Sequence, residues 1–301
     1  MKLLKKYIFG LILLIVVILA IYGIKNVKTV PGSKINIVAA ENFWGSLASQ
    51  IGGNRVDTFS VINNPNVDPH EYEASSLDAV KISQANLVII NGAGYDQWAS
   101  QMVAASNNSH TSVLNVAKLI KASTGANPHF WYNPSYVNIV DSQIADDLIR
   151  IDPNNKTYYL NNLKILNQKL AIYQNKIKYI QTHFANVKVA ATEDIFQYLA
   201  GSANLNLISP SSFIQAVAEG NDPPAPSVVV FQNQLQSHQP RILVYNTQTV
   251  TPLTETMKTI AHQQGIPVVG ISETIQPINL NFEDWMDGQI NNLIKALSSN
   301  G

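Results

Sequence analysis

The stretch DPNNKTYYLNNLKILNQKLAIYQNKIKYIQTH, residues 152–183, decides the fold. Asp152 followed by Pro153 is a helix start: a capping acid, then a proline in the first turn, where its missing N–H loses no hydrogen bond. From Asn154 to His183 no Gly or Pro intervenes, and Leu160, Leu163, Leu166, Leu170, Ile177 and Ile180 recur at helical spacing. The pattern predicts one helix of about 30 residues, roughly 45 Å long. A coiled-coil segment is the alternative reading. Directly beyond it, Val187-Lys-Val-Ala-Ala191 is a short β-rich run, so a rod between two α/β lobes accounts for the pattern better.

Working outward from that rod, the N-terminal side alternates strands at 34–40, 56–62 and 86–90 with helices at 44–51, 76–84, 94–105 and 135–149. Gly52-Gly53 ends the first of these helices, and Ser75 or Ser76 caps the second. The C-terminal side has strands at 187–191, 241–245 and 267–271 and helices at 252–264 and 282–297. Asn221-Asp-Pro-Pro-Ala-Pro226 reads as a stiff loop between helices. Apolar strands alternating with amphipathic helices mark a mostly parallel sheet. The expected architecture is therefore α/β. Two βα lobes, 34–151 and 185–301, are joined by one long rigid helix, 152–184, and preceded by an N-terminal membrane segment, 1–33.

That segment rests on 18 uncharged residues, 7–24, largely Ile, Leu and Val, behind Lys5 and Lys6. As a helix they would span about 27 Å, near the hydrocarbon thickness of a bilayer. Ile21-Tyr22-Gly23-Ile24 is a poor cleavage site, so an uncleaved anchor is the first reading and a cleaved signal the second. The basic flank keeps the N-terminus cytoplasmic, and either reading puts the rest of the chain outside the cytoplasmic membrane. The 301 residues carry 20 Lys+Arg against 20 Asp+Glu, which argues against the basic footprint of a nucleic-acid binder. There is no cysteine, which excludes disulfides, thiolate metal sites, a cysteine nucleophile and a lipidated N-terminal Cys. Charged residues make up only 13%, about half the usual share, so Asn and Gln carry much of the solubility.

Two of the six histidines stand in related settings, Asn66-Val-Asp-Pro-His70-Glu-Tyr-Glu73 and Asn127-Pro-His129-Phe-Trp-Tyr-Asn-Pro134. In both, a proline stiffens the backbone just before the imidazole, which suits a ring whose orientation must be set before a metal ion arrives. Capping or partly buried histidines are the plainer alternative. With Ala39-Ala-Glu-Asn-Phe-Trp-Gly45 and Asn91-Gly-Ala-Gly-Tyr-Asp-Gln-Trp98, these motifs resemble the metal-binding solute-binding proteins of ABC transporters. This manganese, zinc and iron receptor group is related to the zinc-uptake receptors and the streptococcal-type manganese lipoproteins. The resemblance covers nearly all of the chain after residue 33, in the expected order.

The resemblance implies one divalent ion in a cleft, with two ligands from each lobe. His70 and His129 match the first-lobe positions. Glu193, in Ala-Ala-Thr-Glu-Asp-Ile-Phe196, matches a position held by His in many zinc members and Glu in many manganese members. Its other reading is a helix-start acid behind a Thr192 cap. Glu273, in Gly-Ile-Ser-Glu-Thr-Ile275, stands where the family usually has Asp, and its other reading is an exposed loop acid. All four follow β-rich runs, where open α/β sheets gather their ligands. Asn246, after Ile-Leu-Val-Tyr245, reads as a hydrogen-bonding group behind them. Two imidazoles and two carboxylates suit Zn2+, Mn2+ or Fe2+. Residues 107–125 hold only His110 and lack the His-rich loop of many zinc receptors, which leans toward Mn2+ while leaving Zn2+ open.

His110, His183, His238 and His262 read as surface residues, and Trp44, Trp98, Trp131 and Trp285 as packing. Gly92-Ala-Gly94 is a tight turn without the further residues of a nucleotide loop. The expected protein is not an enzyme. It is a monomeric receptor on the outer face of the cytoplasmic membrane, held by its N-terminal segment, that captures Zn2+ or Mn2+ and delivers it to an ABC permease. The rivals are a surface adhesin with a structural metal and a secreted metallohydrolase. The hydrolase would need an open coordination position and a general base, and no His-Glu-x-x-His cluster is present.

Overall fold

In the computed structural model, which describes residues 34–64, 69–106 and 108–299, short apolar runs form two four-stranded parallel sheets. The first lobe runs through β1 (Ile35–Glu41), α1 (Asn42–Gly52), β2 (Val56–Ile62), α2 (Ser76–Ser83), β3 (Leu87–Ile90), α3 (Gln97–Ala105), β4 (Ser112–Asn115) and α4 (Val116–Leu119). Two longer helices follow, α5 (Pro134–Ile151) and α6 (Lys156–His183). The second lobe contains β5 (Lys188–Ala191), α7 (Gln197–Ser202), β6 (Asn206–Leu207), α8 (Ser211–Ala218) and α9 (Ala225–Gln236). It continues with β7 (Leu243–Asn246), α10 (Pro252–Gln263), β8 (Val268–Ile271) and α11 (Phe282–Ser298).

The sheets have the orders β2-β1-β3-β4 and β6-β5-β7-β8. In each, the first strand in sequence lies second in space, flanked by the second and third. The connections leave it in opposite directions, which opens a crevice at its carboxyl end. Ala39 of β1 lies opposite Ile89 of β3, and Ala191 of β5 opposite Val244 of β7. Both lobes thus point the same kind of crevice toward the loops that carry the candidate ligands. The apolar stretch at 7–24 lies outside the described residues. Among the described residues, no helix is long and apolar enough to cross a membrane.

The long helix departs from expectation at its start and in its setting. It begins at Lys156 and has 28 residues, after a single 3-10 turn over Pro153–Asn155. Asp152 does not cap it. Its carboxylate accepts from Asn155 Nδ2 at 2.7 Å and from the Tyr159 hydroxyl at 2.9 Å, clamping the turn between α5 and α6. The buried face is Tyr159, Leu166, Leu170, Tyr173, Ile177 and Ile180, whereas Leu160 is 41% exposed. The helix is no free-standing rod, because it packs against α1, α5 and α11. One apolar core extends from Ile37, Phe43 and Trp131 through Tyr173 to Val244 and Trp285, across both sheets.

Polar contacts reinforce that junction. Glu283 on α11 accepts from Gln50 Nε2 at 2.8 Å and from Lys169 Nζ at 3.1 Å, tying α11 to α1 and α6. Burial of the α6 face makes stability sensitive to its volume. In urea unfolding, Leu170→Ala is expected to cost about 2–5 kcal/mol, because the side chain is fully buried. Ile172→Ala, at a position 57% exposed, is expected to stay within about 0.5 kcal/mol. Equal losses at the two positions would contradict this packing.

Candidate metal centre

The chain turns after Ala191 and Ile271 deliver Glu193 and Glu273 two residues beyond the ends of β5 and β8. Asn246 ends β7, the strand between those two in the sheet. The three side chains therefore rise from neighbouring strands of one parallel sheet. In the first lobe, His70 lies in the 3-10 turn Pro69–Glu71 beyond β2, and the preceding Asn66-Val-Asp68 lies outside the described residues. His129 does not directly follow a strand as expected. It comes after α4 and a loop, just before the 3-10 turn Phe130–Tyr132 that leads into α5.

The structure brings all four sequence-predicted residues together. One donor atom from each of His70, His129, Glu193 and Glu273 lies within 4.8 Å of all the others. His129 Nε2 is 3.8 Å from Glu193 Oε1 and 4.0 Å from Glu273 Oε2, and His70 Nε2 is 3.6 Å from Glu273 Oε2. His129, Glu193 and Glu273 are buried, and the His70 side chain is 24% exposed. A cleft of about 580 Å3 opens to solvent beside them, and of the four only His70 lines it, with Tyr95, Asn127, Asp194 and Tyr198.

Neighbouring groups set the orientation of each donor. Asn127 Oδ1 accepts from the His129 backbone N–H at 2.9 Å and stands 2.7 Å from ring Nδ1, while Asn127 Nδ2 donates to the Asp194 carbonyl at 2.8 Å. This network places the ring proton on Nδ1 and leaves the Nε2 lone pair facing the carboxylates. Asp194 Oδ1, from the second lobe, adds its charge 3.1 Å from the same Nδ1. His129 Nε2 and Glu193 Oε1 are buried with no hydrogen-bond partner. A divalent ion would satisfy both atoms, so the donor set fits the cation that the sequence motifs imply.

The Glu273 loop is gripped from both lobes. Gln248 Oε1 accepts from the backbone N–H groups of Glu273 at 2.9 Å and Thr274 at 3.0 Å. From the first lobe, Asn42 Oδ1 accepts from Ile275 N at 3.0 Å, and the Tyr132 hydroxyl donates to the Ser272 carbonyl at 2.7 Å. The Tyr95 hydroxyl donates to Glu273 Oε2 itself. Asn246 Nδ2 reaches Glu273 Oε1 at 2.6 Å and Glu193 Oε2 at 3.0 Å, bridging the two acids.

Sequence reasoning placed Asn246 near the ligands but missed Tyr95, Asn127, Asp194 and Gln248. Tyr95 and Asn127 do stand inside the motifs that carried the resemblance. Gln248 stands in Tyr245-Asn-Thr-Gln-Thr-Val-Thr-Pro252, a stretch like the second lobe of some relatives, but its hold on the Glu273 loop has no local cue. Behind the site, Asp96 accepts from the backbone N–H groups of Asn91 at 2.6 Å and Gly92 at 2.8 Å, closing the tight turn over Gly92-Ala-Gly94. Burial still pushes its carboxyl up to about 6. Glu41, at the end of β1, is held well above the ordinary carboxylate range by burial and then by the charge of Asp96.

Two parallel-sheet lobes whose loops bring four candidate donors to one centre have the arrangement of a two-lobed metal-binding receptor. The chain belongs to the family of the periplasmic zinc-uptake complex component A, whose profile matches residues 37–296. It is 27% identical over 277 residues to the manganese ABC transporter substrate-binding lipoprotein PsaA of Streptococcus mitis, covering 87% of this chain and 86% of that one. It is also 27% identical over 276 residues to the metal ABC transporter substrate-binding lipoprotein SsaB of Streptococcus sanguinis, covering 85% and 86%. The fold matches that of the solute-binding protein FpvC from Pseudomonas aeruginosa, solved in complex with Mn2+, with a TM-score of 0.75. That match has 20% identity and covers 89% of this chain and all of that one.

Desolvation, and next the charge of Glu273, push the Glu193 carboxyl up to about 8, against the opposing effects of His129 and Asn246. At His129 burial acts downward, but Asp194, Glu273 and Glu193 outweigh it and raise the imidazole above its ordinary value. Below these values a cation must displace protons to bind, so acid weakens binding. In competitive zinc titrations, apparent affinity is expected to fall about tenfold or more per pH unit as pH drops below 8, and to flatten above it. A flat profile from pH 6 to 9 would contradict the assigned protonation.

Proposed function

We propose that the chain is an extracytoplasmic receptor that captures one divalent metal ion, Zn2+ or Mn2+ with Fe2+ admissible, and delivers it to an ABC permease. The observation that carries this reading is the convergence of His70, His129, Glu193 and Glu273 within 4.8 Å, with His129 Nε2 and Glu193 Oε1 lacking any other partner. Two neutral imidazoles and two carboxylates neutralise a 2+ ion, which makes burying it tolerable. Four protein donors close a tetrahedral coordination sphere, which suits capture. Hydrolysis needs a position left open for water. The names of the streptococcal relatives, which include manganese and ABC transport, point the same way.

In this reading, lobes 34–151 and 185–301 each supply two ligands, and segment 152–184 spans them. The ion passes His70 at the cleft and then meets the three buried donors. Because α6 packs on elements of both lobes, capture proceeds with rearrangement of loops rather than a wide swing of the lobes. The receptor acts as a monomer and is held at the outer face of the membrane by the apolar stretch at 7–24, or is secreted after cleavage there. The relatives' names call them lipoproteins, but these 301 residues contain no cysteine to carry a lipid.

Elemental analysis of protein purified from defined medium is expected to show near-stoichiometric zinc or manganese, lost in both His70→Ala and His129→Ala. Full metal content in both variants would overturn the ligand assignment. Unchanged metal uptake in a host lacking the gene would overturn the transport role.

A further inference from the structure

Three of the four carboxylate oxygens at the centre already accept hydrogen bonds. Glu273 Oε1 and Glu193 Oε2 accept from Asn246 Nδ2 at 2.6 and 3.0 Å, and Glu273 Oε2 accepts from the Tyr95 hydroxyl. The amide cannot be turned end for end, because Asn246 Oδ1 accepts from the Gln248 backbone N–H at 3.0 Å. Thr249 Oγ1 lies 2.9 Å from the same nitrogen, but its two hydrogens go to the anionic oxygens as the stronger acceptors. Each carboxylate therefore has one oxygen tied back to Asn246 and one facing the histidines. The facing pair is Glu193 Oε1, 3.8 Å from His129 Nε2, and Glu273 Oε2, 3.6 Å from His70 Nε2.

We propose that Asn246 confines both carboxylates to coordination through a single oxygen, which makes the centre four-coordinate and widens its preference for zinc over manganese. The inference rests on the reading of the four residues as ligands. Zinc is satisfied by four donors in a tetrahedron. Manganese holds its donors more weakly and suits an octahedral, oxygen-rich shell. The two carboxylates can supply further oxygens through their second atoms, Glu193 Oε2 and Glu273 Oε1. Recruiting either one draws it away from Asn246, whose N–H then turns from a carboxylate to the neutral Thr249 hydroxyl, a weaker acceptor. That penalty falls on the ion that needs more donors and spares the one that does not.

Cobalt(II) reports the geometry directly, because its visible bands are intense in a tetrahedral site and weak with five or six donors. The full chain loaded with cobalt is expected to show intense bands. In Asn246→Ala the bands should weaken, and the ratio of zinc to manganese affinity, measured by competition, should fall by about tenfold or more. That is the scale on which partners of metal ligands act. The ratio isolates geometry, since both ions carry the same charge and displace the same protons. Weak bands in the wild type, or an unchanged ratio in the variant, would overturn the role of Asn246 alone. If the variant does not fold, the wild-type spectrum decides. Failure of the wild type to take up stoichiometric cobalt would overturn the ligand reading and this inference with it.

Discussion

Two carboxylates stand side by side in a site that excludes most water, and one amide holds them there. At a separation of no more than 4.8 Å, two like charges repel by about 3 kcal/mol or more even at an effective dielectric constant of about 20. Burial adds to that strain, and Asn246 offsets part of it by donating to both acids. The arrangement is possible because β5, β7 and β8 are consecutive in the sheet and parallel, so three strand ends arrive together. The rest of the molecule can be read as what is needed to keep that encounter in place. The upward push on the Glu193 carboxyl, from burial and from the charge of Glu273, comes from the same conflict.

The first lobe does more than contribute histidines. Asn42 and Tyr132 hold the backbone on either side of Glu273, while Tyr95 holds its carboxylate. In the reverse direction, the Asp194 segment of the second lobe orients His129 through Asn127, whose carbonyl also accepts from the Tyr198 hydroxyl at 3.0 Å. Each lobe thus aligns donors that belong to the other. A shared core and a long helix lying along both lobes make this cross-bracing stiff.

The alternation of apolar strands and helices was legible because buried parallel strands such as Leu87–Ile90 are continuous apolar runs. Strands β4 and β6 were not, because they are edge strands, one with a single buried residue and the other two residues long. Asp152 carries the signature of a helix cap, yet its carboxylate serves a tertiary clamp on Tyr159 that no local pattern encodes. The four candidate ligands were found by local motif and resemblance. Their partners were harder, since Tyr95 meets Glu273 across 178 residues of sequence and Tyr132 meets Ser272 across 140. Glu273 itself lacked any local cue that it would be fully buried, because its shelter comes from the other lobe.

The strand registers carry one more consequence. Ala39 faces Ile89 in the first sheet, and Ala191 faces Val244 in the second. Counting two residues on from each of these pairs, past the last paired residues, matches Glu41 to Asn91 and Glu193 to Asn246. An acid and an amide thus fall at corresponding places in the two sheets, and only in the second do they bond to each other. In the first copy the amide turns to Trp44 Nε1 and the Pro128 carbonyl, and the acid is sealed beside Asp96. In the second the amide turns to two acids and the crevice stays open to chemistry. A carboxylate at this corner is thus a habit of the fold, and becoming a ligand is a matter of which neighbours the repeat happens to meet. One half of a doubled plan has become masonry, and the other half has kept its hand free.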